Sequence, residues 1–391
     1  MTDVVISAAK RTPMGAFQGE LSDLKATELG AAAIRAALAD SGVSAATVDE
    51  TIMGIVLPAG VGQAPARQAS LGAGLPLATP ATATSKVCGS GMKAVIQACS
   101  QIQSGQSKVV VAGGMESMSQ APYLAPSTRS GARLGHSKLV DHMFFDGLED
   151  AYEGGLMGTF AERCAGDYQF TRDAQDAFAI TSLKRALAAT EEGLFVKEIV
   201  PITISSRKGE TVVSIDEQPR NARIDKIPQL KPAFAKDGTV TAANASSISD
   251  GAAALVLSSR EAAREQGAAI CAKIVGHSAH AQEPALFTTA PVGAVQKLLD
   301  RIGWTVADVD LWEVNEAFAV VAMAFMQDLG LDHDRVNVNG GACALGHPIG
   351  ASGARILVTL LHALEQRDLK RGIAAICIGG GEALAVAIER E

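Results

Sequence analysis

Apolar positions along this chain switch between a strand period and a helix period, with short polar or glycine-rich breaks between them. Val4–Ala8 is an apolar run that predicts a strand at the very start. Residues 26–41 place their apolar side chains at helical spacing and predict a helix. Thr51–Leu57 again predicts a strand, and Ala64–Ala73 a helix. Gly89–Gln103 predicts a helix leading into Lys108-Val109-Val110-Val111-Ala112-Gly113-Gly114, a buried-strand run closed by glycines. From about Met115 to Ser249 the style changes, with more aromatics, prolines and charges. Within it, residues 171–192 form an amphipathic helix pattern with Thr171 as N-cap and Gly193 as stop. Asp250–Ser258 resumes the small-apolar strand style, and a second alternating unit runs from Cys271 to the end.

The two alternating units resemble each other. Gly89-Ser90-Gly91-Met92-Lys93-Ala94-Val95 leads through a helix to Val109–Gly114. Ala351-Ser352-Gly353-Ala354-Arg355-Ile356-Leu357 leads through a helix to Ile373–Gly381. A small residue, Ser, Gly, any residue and Lys or Arg open both helices, and a glycine-ended apolar strand follows each. Duplication of one βα unit accounts for this. The paired halves would meet at those helix starts.

Composition supports tightly packed α/β layers. Of 391 residues, 48% are hydrophobic, only 4% aromatic, and 39 are glycine, so small side chains fill the interior. That length suits two or three cooperating units rather than one core. The formal net charge of −8 gives no reason to expect nucleic acid or an anionic membrane as partner. No apolar run reaches the ~18 residues of a membrane span. The N-terminus lacks signal- and transit-peptide character and the C-terminus lacks a peroxisomal address, so a cytoplasmic location is expected. The six cysteines (88, 99, 164, 271, 343 and 377) show no C-x2-C spacing, which argues against zinc and against disulfides. His277 and His280 form an H-x2-H pair with no third ligand nearby in sequence.

Candidate chemistry sits on the glycine-dense turns. Cys88 precedes a helix that opens Gly, Ser, Gly. The free N–H groups and dipole of a helix start are expected to lower a thiol pKa there and to offer oxyanion donors. A buried, inert cysteine is the plain alternative. His347, between Gly346 and Pro348, is held by an irregular loop rather than by a periodic apolar face. Cys377 ends an apolar strand and faces three glycines, where a thiol can exchange protons. It could equally be a small strand residue. Asn315, after the strand 309–314, can position a water or an enolate oxygen, or simply cap a helix. A thiolate suits acyl-thioester chemistry because its covalent intermediate is itself a thioester. Two further patterns do not persuade. Gly89–Ala94 fits G-x-G-x-x-A but follows too polar a segment, and Ala351-Ser352-Gly353 lacks the G-x-S-x-G of a serine elbow.

At these residues the chain resembles the thiolases of the acetyl-CoA acetyltransferase group. The likeness runs from Val4-Val5-Ile6-Ser7-Ala8-Ala9-Lys10-Arg11-Thr12-Pro13 through Asn315-Glu316-Ala317-Phe318 and Asn339-Gly340-Gly341 to Cys377-Ile378-Gly379-Gly380-Gly381. It implies a duplicated, five-layered αβαβα thiolase fold. Residues 1–118, completed by 250–270, would form the N-terminal half and 271–391 the C-terminal half. Residues 119–249 would form a loop domain over coenzyme A. The implied reaction is reversible Claisen condensation of two acetyl-CoA to acetoacetyl-CoA and CoA. A degradative thiolase for longer 3-ketoacyl chains is the alternative within the family, and an inactive thiolase-like carrier the distant one.

The resemblance also assigns roles. Cys88 takes the acyl group, His347 activates it, and Cys377 moves the proton of the acetyl methyl. Asn315 holds a water that completes one oxyanion site with His347, and the N–H groups of Cys88 and Gly379 form the other. Leu148, Arg220, Phe234, Ala242, Ser246, Ala317 and Phe318 would contact coenzyme A, which acts as substrate, with no tightly bound cofactor and no metal. Leu156, Met157 and Phe287 would border the acyl pocket. Leu156 stands where many short-chain members carry histidine, Ser247 where glycine is usual, and Glu382-Ala383 replaces Gln/Met-Gly. Arg207, Lys208, Arg220, Arg223, Lys226, Lys231 and Lys236 form a basic stretch that suits a phosphate-bearing ligand or, equally, an ordinary solvated loop. A homo-oligomer, dimer or tetramer, is expected. Residues 108–111 could be an edge strand pairing across a two-fold axis.

Overall fold

The computed structural model describes residues 2–206 and 209–391. Its frame is a ten-stranded mixed sheet whose two halves join along one short seam. In the first half, Val4–Arg11 pairs with Ser249–Ser259, which pairs with Val109–Ser117; Glu50–Gly54 and then Ala81–Thr84 follow, and the two-residue strand Gly15–Ala16 pairs with the start of Ser249–Ser259. In the second, Ala272–Ala281, Glu382–Arg390, Arg371–Ile378 and Leu311–Val314 follow in order. The seam consists of Val5 opposite Lys273 and Ile6 opposite Ala272. Among its described residues, segment 119–249 adds short strand pairs of its own, such as Ile202–Ser206 with Gly209–Val213.

Both sheet faces are covered, and the alternation of side chains shows how. Along Val109–Ser117, Val110 and Ala112 enter one apolar cluster, whereas Val109, Val111 and Met115 enter another. Along Arg371–Ile378, Ala374, Ile376 and Ile378 share the first cluster with Val110, and Ile373 and Ala375 enter a third. The shared cluster also holds Val95 and Ile96 of the helix Ser90–Gln103 and Ile356, Leu357 and Leu360 of the helix Ile349–Gln366. These two helices therefore form a middle layer between the sheet halves. Ala26–Ser41 covers the outer face of one half and Ala290–Ile302 that of the other. The result is five layers, αβαβα. A period-two strand buried on both faces must be apolar at every position, which accounts for the continuous Val and Ala runs of the sequence.

The repeated small-Ser-Gly motifs lie where the two middle helices cross. A Cβ on Gly91 would stand 2.9 Å from the Ala354 nitrogen and 3.0 Å from the Gly350 carbonyl oxygen, and one on Gly353 would stand 2.6 Å from the Met92 nitrogen. Only glycine permits this approach. The crossing brings the turns before both helices together, one carrying Cys88 and the other His347.

The helix Arg172–Glu191 has Thr171 as N-cap, its hydroxyl accepting from the Ala174 N–H, and Gly193 follows it at φ +71°. The expected edge strand at 108–111 is a correction. Val109–Ser117 runs between Ser249–Ser259 and Glu50–Gly54, and its apolar positions are buried from both sides. The edge of that half is Ala81–Thr84, short and partly exposed, its polar character suited to solvent on one side.

Candidate active site

The turn before the Ser90–Gln103 helix is held by the serine of the repeated motif. Ser90 Oγ donates to the Val87 carbonyl at 2.7 Å and accepts from the Lys86 N–H at 2.8 Å. Val87 sits at φ +44°, a costly conformation for a β-branched residue. Such outliers cluster where structure is bent to function. Here the strain presents Cys88 at the wall of a cavity of about 330 Å³.

The second motif serine performs the matching task. Ser352 Oγ donates to the Pro348 carbonyl at 2.9 Å and lies 2.5 Å from His347 Nδ1. The His347 N–H is held by the Ser247 carbonyl at 3.0 Å and by Ser249 Oγ at 3.2 Å. Asn315 Nδ2 stands 3.5 Å from His347 Nε2, and Asn315 Oδ1 is buried with no partner among the described residues. His347 also lines the cavity. Ser352, set aside as a failed nucleophile motif, therefore matters as the orienting group of the histidine. The repeat of its small-Ser-Gly motif directly after Cys88 was the signal for it.

Cys377 is fully buried at the end of its strand, in an apolar cluster with Phe287, Phe318 and Phe160. It lies close enough to Cys88 for the charge of one to disfavour the charge of the other. Gly379, two residues on, lines the cavity, and its N–H is directed at the Cys88 sulfur. An ion pair between Lys86 and Glu382 ties the Cys88 turn to the Cys377 strand end. This gives a use to Glu382, one of the residues that departs from the family pattern.

Burial sets the protonation of these groups. The Cys88 thiol is pushed up to about 11, chiefly by desolvation, although the N–H groups of Gly379 and of Cys88 itself pull the other way. The expected lowering by the helix start is thus corrected: loss of water outweighs the helix end. Burial, helped by Arg355, drives His347 down to about 3, so its imidazole rests neutral. Cys377 is raised well above its ordinary value, again by burial. The resting site is neutral thiol beside neutral imidazole.

Of the residues expected around the ligand, Leu148, Phe234, Ala242, Ser246, Ala317 and Phe318 all line the same cavity, as do Leu156, Met157 and Phe287. Arg220 does not. It forms an ion pair with Glu20 and is absent from the cavity wall. A second groove, also about 330 Å³, adjoins the first through Ala242 and Ser247 and is lined by Arg223 and Lys226. Arg207 and Lys208 lie outside the described residues. Sequence reasoning missed Phe144, Ile248 and Ile349 on the cavity wall, because apolar residues carry no chemical mark.

Comparison with known proteins gives the family. The family descriptions "Thiolase, N-terminal domain" and "Thiolase, C-terminal domain" match residues 4–261 and 268–390. The chain belongs to the thiolase family. This thiolase is 51% identical over 393 residues to the acetyl-CoA acetyltransferase of Pseudomonas aeruginosa and 52% identical over 393 residues to that of Cupriavidus necator, each alignment covering 100% of both chains. The crystal structure of the Bacillus anthracis acetyl-CoA acetyltransferase superposes with a TM-score of 0.97 at 44% identity, covering 100% of this thiolase and 99% of that chain.

Proposed function

We propose that this thiolase is an acetyl-CoA C-acetyltransferase, converting two acetyl-CoA to acetoacetyl-CoA and CoA and running the reverse thiolysis. The observation that carries the reading is the meeting of Cys88, His347 and Gly379 on one apolar cavity whose wall holds six of the seven expected coenzyme contacts. In the first half-reaction Cys88 Sγ attacks the acetyl carbonyl carbon and its proton passes to His347 Nε2. The developing oxyanion is held by the N–H groups of Cys88 and Gly379, and departing CoA takes up the proton. In the second, Cys377 acts through its minor thiolate form, which removes a methyl proton from another acetyl-CoA and is regenerated at the end. The resulting enolate oxygen faces Asn315 and His347, and the carbanion attacks the acetyl-Cys88 carbonyl. Cys88 leaves as thiolate and recovers a proton from Cys377, so atoms and charge balance.

Coenzyme A comes and goes as substrate, with no tightly bound cofactor. Its phosphates fit the groove of Arg223 and Lys226 better than Arg220, whose charge is already paired. Among the described residues no helix is long and apolar enough to cross a membrane, and a cytoplasmic enzyme is the reading adopted. A homo-oligomer is proposed too, with the short open edge Ala81–Thr84 as a pairing strand; a monomer in light scattering would refute it. The test of the function is turnover. The protein should cleave acetoacetyl-CoA with CoA, and Cys377→Ala should still acylate Cys88 while losing deuterium exchange at the acetyl methyl. Absence of thiolysis, or normal exchange in that variant, would overturn the reading.

A further inference from the structure

Glu116 is a buried carboxylate that the steps above leave unused. It projects from the strand Val109–Ser117 into the space behind the site, with no exposed surface. Its Oε2 accepts from the N–H groups of Val56 at 3.0 Å and Gly350 at 2.9 Å, and its Oε1 from Leu57 at 3.1 Å. It therefore joins three segments: its own strand, the turn after Glu50–Gly54, and the first turn of the Ile349–Gln366 helix. That helix start follows directly on His347 and Pro348, and two residues past Gly350 it carries Ser352, which holds His347 Nδ1. A helix start offers N–H groups without partners, so a carboxylate is the natural clamp.

The clamp also has a charge. Among the groups facing it, Asp250 stands on the neighbouring strand Ser249–Ser259 and Cys88 on the turn before the other middle helix; the rest are the three N–H groups. Its negative charge disfavours the Cys88 thiolate. Burial pushes the carboxyl itself up to about 7 against the pull of the three N–H donors, with Asp250 adding to the rise.

We propose that Glu116 is a positioning residue of the acyl-transfer site, fixing the helix start that carries His347 and adding its charge to the burial that keeps Cys88 a thiol until His347 takes the proton. This rests on the reading of Cys88 as nucleophile and His347 as its base. The carboxylate acts through these two groups and touches no substrate.

The test uses the full-length protein and two variants, Glu116→Gln and Glu116→Asp. Alkylation of Cys88 by iodoacetamide is followed across pH with peptide mapping, beside thiolysis of acetoacetyl-CoA. Glu116→Gln removes the charge, so the alkylation midpoint should move to lower pH while kcat falls about tenfold or more and KM changes little. Glu116→Asp keeps the charge but shortens the reach. It should lose kcat with a midpoint closer to that of the parent. A midpoint unchanged in Glu116→Gln, or full kcat in Glu116→Asp, overturns the proposal. If Glu116→Gln does not fold, the kcat of Glu116→Asp decides alone. Alkylation of the parent at a residue other than Cys88 would instead refute the reading of the nucleophile, which keeps the two failures apart.

Discussion

His347 Nδ1 and Ser352 Oγ lie 2.5 Å apart, and the single hydroxyl proton of Ser352 is committed to the Pro348 carbonyl. The serine can then only accept from the ring, so Nδ1 carries the hydrogen and Nε2 keeps its lone pair. That lone pair faces Asn315 and the cavity. The base is thus defined by a hydroxyl that never meets substrate.

Removing the hydroxyl should free the ring to rotate and to change tautomer. Ser352→Ala should lower kcat about 10- to 100-fold, less than the full contribution of a general base, with KM near that of the parent. Steady-state thiolysis measures this. An unchanged kcat would show that the loop alone orients His347.

The protonation of the resting site leads to a second expectation. With Cys88 raised to about 11 and His347 lowered to about 3, the free enzyme holds no thiolate–imidazolium pair. Alkylation of Cys88 should keep rising with pH from neutrality into the alkaline range, following the growing thiolate fraction. A plateau already reached below neutral pH would mean that a preformed ion pair exists and that burial is less decisive than the geometry indicates.

Much of this molecule could be read from its residues, and the losses have a physical pattern. The run 373–378 of the strand Arg371–Ile378 declared itself because burial on both faces leaves it no polar position. Cys88, His347 and Cys377 stood out because reactive side chains on glycine-dense turns are chemically unusual, and Asn315 through the Asn-Glu-Ala-Phe run at the end of its strand. What stayed hidden depends on distant neighbours. The sign of the Cys88 shift is decided by how much water the full fold excludes, and the strain at Val87 by a serine three residues on. Arg220 looked free for a phosphate because nothing local announced Glu20. The place of Val109–Ser117 inside the sheet rested on Ser249–Ser259, more than a hundred residues away.

The acyl wall gives a third expectation. The Phe287 ring lies 6.4 Å from that of Phe318 and 6.5 Å from that of Phe160, edge-on to both, and closes the cavity beside Leu156 and Met157. Activity should be best on acetoacetyl-CoA, persist for modestly longer 3-ketoacyl chains and fall for long ones. Phe287→Ala should shift kcat/KM toward longer chains, by roughly fourfold for each extra methylene the space admits. Rates of the parent enzyme that climb steadily with chain length would favour the degradative alternative.

Stability rests in part on a buried ion cluster. Arg11, fully enclosed, donates to Glu198 at 2.5 Å and to both oxygens of Asp216 at 2.6 and 2.9 Å, joining the first strand to segment 119–249. Glu198→Ala leaves part of that charge uncompensated and should cost about 3–5 kcal/mol. Denaturant unfolding checks it. A loss below about 1 kcal/mol would place the pair among those that contribute little.

The central claim is that the acyl group travels on Cys88. Incubation of the intact enzyme with labelled acetyl-CoA, quenching and peptide mapping should place one acetyl group per chain on Cys88, and Cys88→Ala should carry none. Label on Cys377 or on any other residue, or turnover that survives Cys88→Ala, would contradict the account.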